Sequence, residues 1–120
     1  MAAHPNERIG RAWVDAFNAR DLDALLALYA EDAHHTSPKI RALRPQTDGK
    51  IHGRAALRDW WADAYARLPE LRYELMSVTA SDERVIIEYA RHLAAEPPMP
   101  VAELFEIRDG KIAASRVYHG

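Results

Sequence analysis

The chain contains no cysteine. That excludes disulfides, thiolate metal sites and cysteine nucleophiles, and it fits a reducing, cytoplasmic setting. Long apolar runs are also missing. None approaches the ~18 residues that a membrane-spanning helix needs. Neither sign of charge dominates: 16 Lys plus Arg stand against 18 Asp plus Glu, a formal net charge of −2. The basic residues are scattered, so the sequence carries no footprint for nucleic acid. Glycine is scarce, with 5 in the chain, and no phosphate-cradling loop is present. Gly49-Lys50-Ile51-His52-Gly53 is too short and sits wrongly for one. Nucleotide, flavin and haem are therefore not expected. The His34-His35 pair does not read as a metal site, because adjacent strand residues point to opposite faces. No cofactor and no metal are expected. Met1 to Asn6 does not read as a secretory signal, since a helix with both charge signs follows directly.

What is present reads as one globular domain, residues 1–120, with 48% hydrophobic and 28% charged residues. The periodicity predicts a first helix from Pro5 to Ala19, with Ile9, Ala12, Trp13, Ala16 and Phe17 on one apolar stripe. Asp21 caps a second helix whose Leu22, Leu25, Leu26, Leu28 and Tyr29 turn inward. Ala33 to Ser37 reads as a short strand. Ser37 to Ile51, broken by Pro38, Pro45 and Asp48-Gly49, reads as a loop with one turn of helix. A third helix runs from Gly53 and stops at Pro69. Strands follow over Leu71 to Ala80 and Arg84 to Ala94. Val101 to Ile107 and Lys111 to His119 form a closing hairpin.

Five weak motifs occur in a telling order. They are Phe17-Asn18-Ala19-Arg20-Asp21-Leu22-Asp23, Tyr29-Ala30-Glu31-Asp32-Ala33, Ser37-Pro38, Gly53-Arg54-Ala55-Ala56-Leu57 and Arg108-Asp109-Gly110-Lys111-Ile112. Together they resemble the nuclear transport factor 2-like superfamily, specifically its SnoaL-like branch, from about Ile9 to His119. The resemblance implies an α+β fold: a cone-shaped barrel in which three N-terminal helices pack on a strongly curved mixed β-sheet and enclose a pocket. It also implies a homodimer formed through the outer sheet face. Ketosteroid isomerases, polyketide cyclases, epoxide hydrolases, dehydratases and binding modules share this architecture, so the pocket residues must supply the function.

Strand parity selects those residues. A three-residue Arg108-Asp109-Gly110 loop with Gly110 left-handed places Glu103 opposite Ser115. Val101, Glu103, Phe105, Ser115, Val117 and His119 then share the inner face. A two-residue Asp-Gly turn would instead set Glu103 beside Arg116 as a surface ion pair. Similarity to the ketosteroid isomerases agrees with the first reading, for it places Glu103 where they carry a buried, proton-donating carboxylic acid. The same comparison sets Ser37 at the position of their aspartate base, Trp13 at their first-helix tyrosine and Trp61 at their third-helix tyrosine. A serine hydroxyl is no base at neutral pH without a partner, so a steroid isomerase is not expected. Nor is the epoxide hydrolase arrangement, because Glu88 and Arg91 lie three apart on one strand and face opposite sides.

The candidate catalytic set is therefore Glu103 as acid, His35 as base and Ser37 as an orienting group. His35 and Ser37 are two apart and share a face. Burial raises a carboxylic acid and lowers an imidazole toward proton exchange near neutrality. Trp13, Phe17, Trp61, Tyr65, Tyr89, Val101, Phe105, Ser115, Val117 and His119 are the candidate substrate-binding residues, with His119 near the pocket mouth. Two readings stay open: a cofactor-independent isomerase, cyclase or dehydratase acting on a hydrophobic oxygenated molecule, and a non-catalytic binding or dimerising module. Glu103 in the second is a buried acid bonded to Trp13, Ser115 or Tyr89.

Overall fold

The computed structural model describes residues 4–119; the leader reading at Met1 to Ala3 lies outside them. Helix α1 spans Glu7–Ala19, starting two residues later than expected, and buries Ile9, Gly10, Trp13, Val14, Ala16 and Phe17. It ends where Arg20 turns left-handed at φ 58° and returns its N–H to the carbonyls of Ala16 and Phe17. The Arg20 guanidinium then binds the carbonyls of Pro69 at 2.6 Å and Leu71 at 3.2 Å. One residue thus ends α1 and anchors the distant Pro69–Leu71 turn. Helix α2, Leu22–Ala27, is capped by the Asp21 carboxylate, which accepts from Ala24 N–H.

Strand β1 covers Tyr29–Thr36. The stretch expected as a loop is more ordered than its breakers suggest. It holds helix α3, Pro38–Leu43, a 3-10 turn at Pro45–Thr47, and strand β2, Lys50–His52. Ser37 accepts from the N–H groups of Lys39 and Ile40, and Pro38 sits in the first turn. Ser37-Pro38 is thus a helix start, which explains why the prolines do not break the segment. Helix α4, Arg54–Arg67, follows. Among the described residues four α-helices accompany the sheet, the short α3 being the turn of helix expected between Ser37 and Ile51.

The remaining strands are β3, Arg72–Ala80, β4, Arg84–His92, β5, Met99–Arg108, and β6, Lys111–His119. The sheet has the order β2-β1-β6-β5-β4-β3 and is not closed. It is mixed: β1 and β6 run parallel and the other pairs antiparallel. That parallel pair brings the first strand of the chain beside the last, and so sets His35 next to Ser115. Helix α1 lies close over the sheet at Gly10. A β-carbon there would stand 2.7 Å from Ile87 Cγ2.

The β5–β6 hairpin corrects the expected loop. Arg108 pairs with Lys111, leaving a two-residue turn in which Asp109 (φ 53°) and Gly110 (φ 76°) are both left-handed. The extra residue lies further along, between the Ile107–Ile112 and Glu106–Ala114 pairs. Parity is restored there. Glu103 opposes Val117, not Ser115 or Arg116, and it still points inward with Val101 and Phe105.

Candidate functional site

Between the helices and the inner sheet face lies a cavity of about 320 Å³. Trp13 and Phe17 reach it from α1, Trp60, Trp61 and Ala64 from α4, and Tyr89 and Glu103 from the sheet. His35, Ser37, Val117 and His119 also border it. All three candidate catalytic residues therefore reach one hollow. Tyr65, Val101, Phe105 and Ser115 do not form its wall. Tyr65 gives its hydroxyl proton to the Phe17 carbonyl at 3.0 Å. Val101 is buried in the hydrophobic core. Phe105 is core, packed against Trp13 at 5.6 Å between ring centres. Ser115 is enclosed behind His35.

The aromatic floor is continuous. Trp13 stacks on Phe17 at 5.4 Å and on Tyr73 at 5.9 Å, and Tyr73 stacks on Tyr89 at 4.2 Å. Sequence reasoning missed Tyr73, Trp60, Arg91, Lys39 and the α3 residues Ala42 and Leu43, all of which border the cavity. Arg91 was within reach of strand parity, for it lies two residues beyond the inward Tyr89.

A chain of hydrogen bonds crosses the interior. Trp13 Nε1–H donates to the Tyr29 hydroxyl at 3.0 Å. Tyr29 and Ser115 hydroxyls lie 3.2 Å apart, and Ser115 Oγ is 2.5 Å from His35 Nδ1. Trp13 can only donate. The direction that leaves no buried hydroxyl proton unpaired runs Trp13 to Tyr29 to Ser115 to Nδ1. His35 at rest is then the Nε2–H tautomer. Nε2 has no partner among the described residues and is not fully enclosed, so it faces the cavity. Burial, with the nearby charge of His34, pushes His35 down to about 3, and the ring is neutral.

Glu103 is 1% exposed. Its Oε1 accepts the Tyr89 hydroxyl proton at 3.0 Å. Its Oε2 is the one fully enclosed side-chain polar atom without a partner among the described residues, and lies 3.9 Å from His35 Nδ1. Burial pushes this carboxyl up to about 8, against the smaller opposing effect of the Tyr89 hydroxyl. It is a neutral acid at pH 7. Burial and the Glu103 charge raise Tyr89 well above its ordinary value, so it remains a donor. Ser37 borders the cavity, but its oxygen is engaged as the α3 cap. The epoxide hydrolase arrangement is absent: Glu88 is exposed and accepts from Ser77, while Arg91 turns inward. His34 lies against His52 outside the core, and no cluster of metal-ligating side chains occurs among the described residues.

Helices laid on one face of an open six-stranded mixed sheet are the architecture of the nuclear transport factor 2-like class. A family model described as the SnoaL-like domain matches residues 10–115, and the chain belongs to that family. It resembles a SnoaL-like protein of unknown function from Burkholderia thailandensis at 26% identity and a TM-score of 0.85, over 95% of this chain and 92% of that one. A protein from Sinorhizobium meliloti assigned as a polyketide cyclase shares the fold at 21% identity and a TM-score of 0.77, over 92% and 94%. TerC, co-crystallized with polyporic acid, shares it at 18% identity and a TM-score of 0.83, over 98% and 92%. No curated protein matches in sequence.

Proposed function

We propose that this protein is a cofactor-independent enzyme that moves protons on a hydrophobic, oxygenated small molecule. The reaction is an isomerisation, cyclisation or dehydration next to a carbonyl. The observation that carries this reading is Glu103: a buried acid that borders an aromatic cavity, its Oε2 without a partner among the described residues. A carbonyl oxygen brought against the Glu103 carboxyl would receive a hydrogen bond from it. Neutral donors fixed before reaction stabilise a developing oxyanion more than water does.

His35 alone is a weak base, but the two groups act on each other. Once Glu103 passes its proton to the substrate oxygen, a carboxylate stands 3.9 Å from Nδ1. That charge favours an imidazolium. In its other tautomer, with Nδ1–H donating to Ser115, His35 offers the Nε2 lone pair to a carbon acid. The proton then returns at a different carbon, Glu103 recovers its own from the enol oxygen, and the enzyme is reset. Stacked aromatics hold the ring.

Deuterium wash-in tests this whatever the final product. Hydrophobic cyclic ketones are incubated with the protein in D₂O, and exchange beside the carbonyl is followed by NMR. Glu103→Gln and His35→Ala should each slow exchange by at least ~10²-fold. Equal rates in wild type and both variants would refute the assignment. The low basicity of His35 favours a second reading, ligand retention without chemistry. It predicts a bound ketone, detected by a thermal shift, with no exchange in any variant.

A further inference from the structure

The mouth of the cavity differs in charge from the rest of the chain. The protein carries a formal −2 overall. The cavity wall holds Lys39, Arg67 and Arg91, while its acids are Glu96 and the buried Glu103, whose Oε1 is taken by Tyr89. Arg67 is spoken for by Asp63 at 2.7 Å. Arg91 is not. Its side chain is only 12% exposed, yet its nearest acid is Glu96 at 3.8 Å, and the Glu96 side chain is 63% exposed. The Lys39 ammonium makes no hydrogen bond or ion pair with any described residue. A cation as enclosed as Arg91 with so loose a partner is incompletely compensated.

We propose that the natural ligand is a hydrophobic organic anion. Its acidic group, a carboxylate or comparable oxyanion, is held at the mouth by Lys39 and Arg91, and its apolar body lies on the aromatic floor. Arg91 comes from β4 and Lys39 from the first turn of α3, so an anion between them would bridge the sheet to the α3 segment. His119 borders the same mouth. Its basicity is lowered by burial and then by the charges of Lys39 and Arg91, which places both cations in its field. A neutral ligand would leave that field unanswered. A cationic ligand would meet it with only Glu96 on its side. The inference rests on the small-molecule reading above and adds the chemical class of the substrate.

A matched pair of fluorescent probes tests it: 1-anilinonaphthalene-8-sulfonate, an anion, and N-phenyl-1-naphthylamine, the same skeleton without the charge. Both are titrated at low salt into wild type, Lys39→Glu and Arg91→Met, with energy transfer from the tryptophans reporting entry into the cavity. Lys39→Glu should weaken the anion about five- to tenfold, since it removes one exposed charge–charge attraction and adds a repulsion of similar size, and leave the neutral probe within about twofold. Salt should weaken only the anion. Lys39 is exposed, so this variant keeps its fold even if Arg91→Met does not. Equal changes for both probes, no change for either, or failure of both to bind would overturn the proposal. Binding is read separately from deuterium exchange. A charge-dependent site in a protein whose Glu103→Gln variant still exchanges at the wild-type rate would refute the acid–base reading alone.

Discussion

The buried Glu103 carboxyl should leave a signature in the pH dependence of stability. Its ordinary value is 4.5 and its folded value about 8. A folded pKa raised above the unfolded one means that this contribution is fully present below pH 4.5. It is lost as pH rises toward 8, because the unfolded chain releases a proton that the folded one keeps. The slope is about 1.4 kcal/mol per pH unit while only the unfolded form ionises. Over the whole window this amounts to about 5 kcal/mol, a large share of a small domain's stability. His35 acts in the opposite sense. It is lowered from 6.5 to about 3, so its contribution is present above pH 6.5 and lost as pH falls. Between 4.5 and 6.5 the two slopes cancel, and above 6.5 the Glu103 loss stands alone. The assay is urea unfolding of wild type and Glu103→Gln at half-unit steps from pH 5 to pH 8. The His35 contribution is common to both proteins and drops out of the difference. Wild type should lose stability relative to Glu103→Gln steadily with rising pH. A difference that is flat across this range would mean that Glu103 ionises in place like a surface acid, and the reasoning from burial would fail.

Gly10→Ala should destabilise by about 1–3 kcal/mol through the clash with Ile87, less the ~1 kcal/mol that alanine gains in a helix; a raised melting temperature would show that α1 can lift away from β4. Ser37→Ala should cost about 1 kcal/mol by uncapping α3, and denaturant titration would show no change if the cap is immaterial. A homodimer through the outer sheet face is expected, since Met76 and Tyr118 stand 65% and 55% exposed there. Met76→Glu combined with Tyr118→Glu should yield a monomer in analytical ultracentrifugation, and a monomeric wild type would dismiss the expectation.

The fold was legible where a local signal had one meaning. The stripe through Trp13 and Phe17, the Asp21 cap and the alternation along β4 and β5 each point to a single element. The segment from Ser37 to Ile51 misled because proline serves two purposes. Pro38 starts a helix, and only the cap hydrogen bonds of Ser37 show which purpose applies. The hairpin shows a different limit. Asp109-Gly110 is a clear two-residue turn signal, yet the inward direction of Glu103 depends on an extra residue near Ala113 that no turn rule marks. The shorter turn and the extra residue each move the register by one, so Glu103 meets Val117 instead of Ser115 and keeps its inward direction. Within the site, Glu103 and His35 could be placed from parity and likeness. The relay through Ser115 and Tyr29 could not, because it depends on the parallel pairing of β1 with β6, strands nearly a whole chain apart. Arg91 and Lys39 were passed over for the same reason: their meeting at the mouth depends on where α3 lies relative to β4.

The most direct measurement is the titration of the Glu103 carboxyl by carbon NMR, with ¹³C-labelled glutamate and the resonance assigned by its loss in Glu103→Gln. The acid should remain protonated at pH 7 and titrate near pH 8, long after the surface glutamates have ionised. A resonance already that of a carboxylate at pH 7 would contradict the neutral donor on which the proposed chemistry stands.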